Sequence, residues 1–231
     1  MFDDSLRRLK DRGLAPLLPL VRPLGPMGLT LGGLVAGLAS AGFAYTGMFS
    51  WAFSFWILNR LLDGLDGALA RLMKSTSPFG GYVDILVDFL VYAAVPLGIV
   101  LGVSGGRSHW IGLSVMLGLF YVNAASWMYL SALEADPDLA GGNERPAVQQ
   151  RTGENAESRA GGYEALPGKR FDARQTAISM PRGLVEGTET LVLYSLMLVF
   201  PQRFLVFLGI LCAGVVMSII QRIGYAWRKF R

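Results

Sequence analysis

Apolar residues along this 231-residue chain come in long runs, not in the short stripes of a water-soluble fold. Runs near 27–45, 56–74, 79–102, 110–133, 184–200 and 204–223 each approach the roughly 17 to 25 residues that cross a bilayer as a helix. The pattern predicts an all-α integral membrane protein with six transmembrane helices. Residues 1–12 differ: Phe2, Leu6 and Leu9 recur at helical spacing among charged residues. That predicts an N-terminal amphipathic interfacial helix, with no cleavable signal peptide evident. Pro16, Pro19, Pro23 and Pro26 are expected to interrupt any regular helix before the first span. The chain therefore divides into a juxtamembrane segment 1–26, a transmembrane domain 27–225 with a hydrophilic insert at 134–180, and a basic tail 226–231.

Composition agrees with the pattern. Hydrophobic residues make up 52% and charged ones only 16%, against about 25% charged in soluble domains. This excludes a soluble enzyme, a disordered chain and a disulfide scaffold. The net charge of +4 reads as a side facing anionic lipid, with no nucleic-acid partner implied. Six spans would put both termini on one side together with Arg7, Arg8, Lys10, Arg12, Arg22, Arg71, Lys74 and the basic tail. The opposite turns would carry Arg107 and Arg203 and no lysine. The positive-inside rule then places the first side in the cytoplasm.

One cysteine, Cys212, excludes an internal disulfide, and one histidine, His109, excludes a histidine-rich metal site. Any metal must be held by oxygen, which points to Mg²⁺, Mn²⁺ or Ca²⁺. Gly28, Gly32, Gly33 and Gly37 form small-xxx-small pairs in span one, suited to close helix packing. Trp51 and Trp56 suit an interfacial turn at the start of span two.

Asp63, Asp66, Asp84 and Asp88 fall inside the predicted spans, where a carboxylate is costly and marks function by default. Asp63 and Asp66 are i,i+3 on one helix, and Asp84 and Asp88 are i,i+4 on the next, so each pair shares a face. A short turn at 75–78 makes the two helices antiparallel neighbours, and the acids converge at one end of the bundle. Such a cluster repels itself unless cations neutralise it. Two divalent ions would do so and offer a positive clamp for phosphate. Gly64, Gly67, Gly80 and Gly81 leave room for a ligand near the backbone.

Read in order, these residues give DxxDGxxARx8GxxxDxxxD, eight defined positions over 26 residues. This resembles the signature of the CDP-alcohol phosphotransferases, integral membrane enzymes of phospholipid synthesis, with each fixed position present at the family's spacing. The resemblance implies a homodimer whose six-helix bundle binds a CDP-linked donor at its cytoplasmic end. It implies transfer of the phosphatidyl group of CDP-diacylglycerol to an acceptor hydroxyl, with release of CMP. It also implies that Asp63, Asp66, Asp84 and Asp88 hold two divalent ions, Mg²⁺ or Mn²⁺, with Ca²⁺ inhibitory or structural. Asp88 is then the general base as well. Asp66, Gly67, Ala70, Arg71 and Gly80 match positions that line the cytidine and phosphate pocket. The chemistry is consistent: an alcohol is a poor nucleophile and gains from a carboxylate within reach, and Arg71 suits paired hydrogen bonds to phosphate.

Acceptor residues are less marked. Arg60 could pair with the acids, orient a ligand phosphate or pack. Arg182, Glu186 and Glu189 near span five, and Asn123 in span four, are candidates for acceptor binding. Two acids there favour a cationic or polyhydroxyl headgroup over a phosphorylated one. The stretch 79–96 resembles the bacterial phosphatidylserine-forming branch. Serine, inositol and similar alcohols therefore stand open as acceptors, as does a CDP-headgroup donor acting on diacylglycerol. The rival from another class, a cation transporter, predicts polar residues through the membrane, and spans three, five and six look mostly apolar beyond one end. His109 is expected to be non-catalytic.

Overall fold

The computed structural model describes residues 15–135 and 187–230. The expected N-terminal amphipathic helix, and Arg182 and Glu186, lie outside those residues. Among the described residues the architecture is all-α. The longer helices are α1 (Gly25–Tyr45), α2 (Phe49–Leu72), α3 (Pro78–Gly102), α4 (Arg107–Ala135), α5 (Gly187–Val199) and α6 (Phe204–Phe230).

Local chemistry explains the boundaries. The N-terminal prolines do not abolish helix before α1. Two 3-10 turns, Ala15–Leu17 and Arg22–Leu24, flank an α-turn at Leu18–Val21. Proline is tolerated there because it occupies first-turn positions, whose N–H has no partner in the helix anyway. Gly25, at φ +67°, takes the left-handed bend that lets α1 start in a new direction. α3 opens on Ser77, whose Oγ accepts from Gly80 N at 3.0 Å, and Pro78 follows as its first residue. Pro96 is carried inside α3.

Six membrane spans are not what the structure shows. Among the described residues four segments are long and apolar enough to cross a bilayer: Leu18–Tyr45, Pro78–Gly102, Arg107–Glu134 and Pro201–Phe230. α2 has the length, but Arg60, Asp63, Asp66 and Arg71 take it below the apolar content of a span. α5 is apolar over Thr188–Val199 but too short. Its 13 residues rise about 20 Å, against about 30 Å of hydrocarbon. Counting apolar runs thus overestimated the spans, because the run across α2 carries charged residues and the run across α5 forms a described helix of only 13 residues. α6 runs through the expected tail to Phe230.

α1 packs on both α2 and α3, α4 packs chiefly on α6, and α5 touches α2, α3 and α6. Small residues set the α1 contacts. Ser40 Oγ donates to the Ala52 carbonyl at 2.7 Å. A Cβ on Gly37 would collide with Val91, and one on Gly98 or Gly102 would meet the carbonyl oxygens of Ala41 and Ala44. The core between the helices holds Trp56, Val91, Val95, Ile99, Met116, Tyr194, Phe204 and Leu211, all fully buried. Val35, Leu90, Ile111 and Val206 are at least half exposed. Such an apolar exterior would be a liability in water and is the solvated face in lipid. Trp51 stays exposed as an interfacial residue should, whereas Trp56 is buried and is not an interfacial anchor.

Candidate active site

The α2–α3 joint builds the site. α2 ends with Met73 N donating to Leu69 O at 2.9 Å and Ser75 N to Ala70 O at 3.0 Å. Lys74 turns the chain at φ +51°, and Ser77 caps α3. That tight return sets the last turns of α2 beside the first turns of α3. Asp63, Asp66 and Asp84 consequently present oxygens that all lie within 4.8 Å of one another. Opposed ligands of a divalent cation, each at about 2.1–2.4 Å, stand about 4.2–4.8 Å apart. The donor set therefore fits one hard divalent cation: three carboxylates, with coordination left for substrate oxygens and water.

The acids are not equivalent. Asp66 is buried at 6% exposure and accepts a 2.8 Å hydrogen bond on Oδ2 from Thr30 Oγ1 of α1. Asp63 and Asp84 are half-buried. Asp88, one turn deeper on α3, stands outside the three-acid group. Its Oδ1 accepts from Arg60 Nη2 at 2.9 Å. Of the expected four-acid, two-cation cluster, the structure gathers three acids for one cation and places the fourth on a guanidinium.

The residues matched to the donor pocket surround this cluster. Gly67 sits where a Cβ would lie 3.3 Å from Arg71 Nη1, so its missing side chain gives the guanidinium its place. Ala70 is half-buried, and Arg71 is exposed at the end of α2. Gly80 lies in the first turn of α3 against the Ser77 hydroxyl. The acceptor candidates are scattered. Arg60 is buried among protein partners. Asn123 accepts from Arg222 Nη1 of α6, and Glu189 is exposed in the first turn of α5. His109 stacks on Phe204 with centroids 6.0 Å apart, a packing role.

Sequence reasoning missed Thr30, Tyr92, Tyr194 and Arg222. Tyr92 was open to discovery, since it follows Asp84 and Asp88 at successive four-residue steps on one face. Thr30 carried no signal, because only the packing of α1 on α2 brings it to Asp66. Arg222 falls at the end of the sixth apolar run and drew no notice there, yet it is buried at 9% exposure.

Comparison with known proteins bears on this geometry. A family model described as CDP-alcohol phosphatidyltransferase matches residues 24–149. The chain is 32% identical over 179 residues to the inner membrane protein YnjF of Escherichia coli, covering 78% of this chain and 71% of that one. It is 31% identical over 125 residues to an archaetidylinositol phosphate synthase of Pyrococcus horikoshii, covering 51% and 64% of the two chains. A CDP-diacylglycerol–serine O-phosphatidyltransferase of Helicobacter pylori is 33% identical over 100 residues, 43% of this chain and 41% of the relative. In fold, the chain is similar to the phosphatidylinositol phosphate synthase of Mycobacterium tuberculosis, solved with manganese and citrate. The TM-score is 0.58 at 19% identity, over 94% of this chain and 87% of that one.

Proposed function

The chain belongs to the CDP-alcohol phosphatidyltransferase family, and from that premise we propose how its own residues carry out the reaction. It is a membrane enzyme that moves a phosphatidyl group from CDP-diacylglycerol to the hydroxyl of a small alcohol and releases CMP. One observation carries the assignment of roles: Asp63, Asp66 and Asp84 converge at the α2–α3 joint.

In this reading those three carboxylates hold Mg²⁺ or Mn²⁺ against the pyrophosphate of the donor. Asp66, Gly67, Ala70, Arg71 and Gly80 receive the CDP portion, with Arg71 forking onto phosphate oxygens. Asp88 accepts the proton of the acceptor hydroxyl. The acceptor oxygen bonds to the phosphatidyl phosphorus as the bond from that phosphorus to the CMP oxygen breaks. A bound cation supplies charge compensation for the phosphates. A second cation, also part of the proposal, would add to that charge compensation, with Asp88 left on Arg60. The acceptor is a small alcohol of the serine or inositol kind, in keeping with the activities named for the two relatives matched over shorter stretches. Arg71 and Lys74 at the joint support a site on the cytoplasmic side by the positive-inside rule. Assembly as a homodimer completes the proposal.

The test is CMP release from CDP-diacylglycerol by purified protein in detergent, with Mg²⁺ or Mn²⁺ and serine, inositol, inositol phosphate or glycerol phosphate. The expected result is CMP and a new lipid with one alcohol, both lost on Asp88→Asn. Folded wild-type protein that releases no CMP with any alcohol or metal overturns the reading.

A further inference from the structure

Arg60 lies one turn before Asp63 on α2, and its side chain is 8% exposed. Each of its three nitrogens has a protein partner. Nε donates to Asn59 Oδ1 at 2.7 Å, Nη1 to the Tyr92 hydroxyl at 2.9 Å, and Nη2 to Asp88 Oδ1 at 2.9 Å. The guanidinium carbon stands 4.9 Å from the Trp56 ring centroid and 5.0 Å from that of Tyr92, within the range of cation–π attraction.

The partners are anchored in turn. Asn59 Nδ2 donates to the Gly33 carbonyl of α1 at 2.8 Å. Trp56 Nε1 donates to Ser195 Oγ of α5 at 3.1 Å, and the two rings of Trp56 and Tyr194 stack at 5.2 Å. The Tyr194 hydroxyl donates to the Tyr92 carbonyl at 2.8 Å. Elements from α1, α2, α3 and α5 therefore fix one guanidinium. A side chain that recognises an exchangeable alcohol keeps its donors directed at the ligand. Arg60 directs an N–H of each of its three nitrogens at the protein, and the one acid of the signature outside the cation cluster is the acid it holds.

We propose that Arg60 is the positioning residue for Asp88, holding that carboxylate beside the Asp63–Asp66–Asp84 cluster and outside it, and is not an acceptor ligand. This rests on the assignment of Asp88 as proton acceptor made above. Asp84 and Asp88 are one turn apart on α3, so a cation at the cluster competes for Asp88 through the same helix face. A bidentate-capable cationic side chain clamped from several sides resists that pull and sets the carboxylate's orientation. Breaking a buried pair at one end leaves the other charge uncompensated. Without Arg60, Asp88 is expected to swing to the metal.

Two measurements on the full-length protein in detergent test this. In the kinetic one, Arg60→Met lowers kcat about 100-fold while KM for the alcohol stays within about threefold, and Arg60→Lys recovers about tenfold. The double variant Arg60→Met/Asp88→Asn is no slower than Asp88→Asn alone, because the two residues act as a unit. A tenfold rise in alcohol KM at near-normal kcat, or losses that multiply in the double variant, overturns the proposal. The second measurement needs no turnover: Mn²⁺ is titrated and its free signal followed by electron paramagnetic resonance. Arg60→Met tightens Mn²⁺ binding about tenfold, and the double variant does not. Unchanged affinity, or an equal gain in the double variant, overturns the proposal. Wild-type protein that releases no CMP sinks the reaction assigned above, and the Mn²⁺ titration still decides whether Arg60 holds Asp88.

Discussion

Thr30 has no place in the eight-position signature, yet its hydroxyl is the partner of the most buried metal-cluster acid. A carboxylate ligand whose second oxygen is bonded keeps one orientation for the cation. Thr30→Val removes that bond at nearly constant volume. Cation affinity is expected to fall about tenfold with little loss of fold, the usual cost for an outer partner of a metal ligand. Mn²⁺ titration beside a melting curve checks it; unchanged affinity would mean that Asp66 orients itself. Gly67 carries a second prediction at this scale. The Cβ of Gly67→Ala would press on Arg71 Nη1, a contact tight enough to push a flexible side chain aside. Donor KM should rise several-fold, since Arg71 moves and no acid does.

Among the elements, α1 and α3 depend on absent side chains. Gly98 and Gly102 let α3 approach the α1 carbonyls of Ala41 and Ala44, and lipid gives helices no hydrophobic reason to associate apart from such packing. Gly98→Ala is expected to destabilise by about 1–3 kcal/mol, the range for overpacking. Gly118 on α4 and Gly209 on α6 meet nothing within 4 Å where a Cβ would stand. Gly118→Ala and Gly209→Ala should be neutral or stabilise by up to about 1 kcal/mol through helix propensity. Thermal unfolding of the three variants in one detergent compares them directly. A Gly98→Ala protein as stable as Gly209→Ala would show that the close α1–α3 approach is dispensable.

For the whole molecule, the reaction needs a cation, and the site needs the side of the membrane where CDP-linked substrates are found. Chelation with excess EDTA is expected to abolish CMP release, and Mg²⁺ or Mn²⁺ to restore it. A cytoplasmic site is the expected orientation, from the basic α2–α3 joint. A cysteine at Lys74, in a Cys212→Ser background, should react with a membrane-impermeant maleimide in inverted vesicles and not in right-side-out cells. The opposite labelling would reverse the topology.

Much of this protein was legible before any tertiary contact was known. Long apolar runs specify a membrane-embedded all-α chain because unpaired backbone groups are not tolerated in lipid. The spacing of Asp63, Asp66, Asp84 and Asp88 puts each pair of acids on one helix face, since i,i+3 and i,i+4 positions are neighbours whatever the surroundings. Tertiary structure decided which face of each helix meets its neighbours. α2 is buried along the face that carries Trp56, Asn59, Arg60 and Asp66 and exposed at Trp51, Ile57 and Leu58, a division that apolar content alone does not show. It also divided the acids. Asp66 went to Thr30 and the cation cluster and Asp88 went to Arg60, because partners drawn from α1 and α2 meet them only when the helices pack. Local spacing places side chains on a face; which group stands opposite is set by contacts distant in the chain.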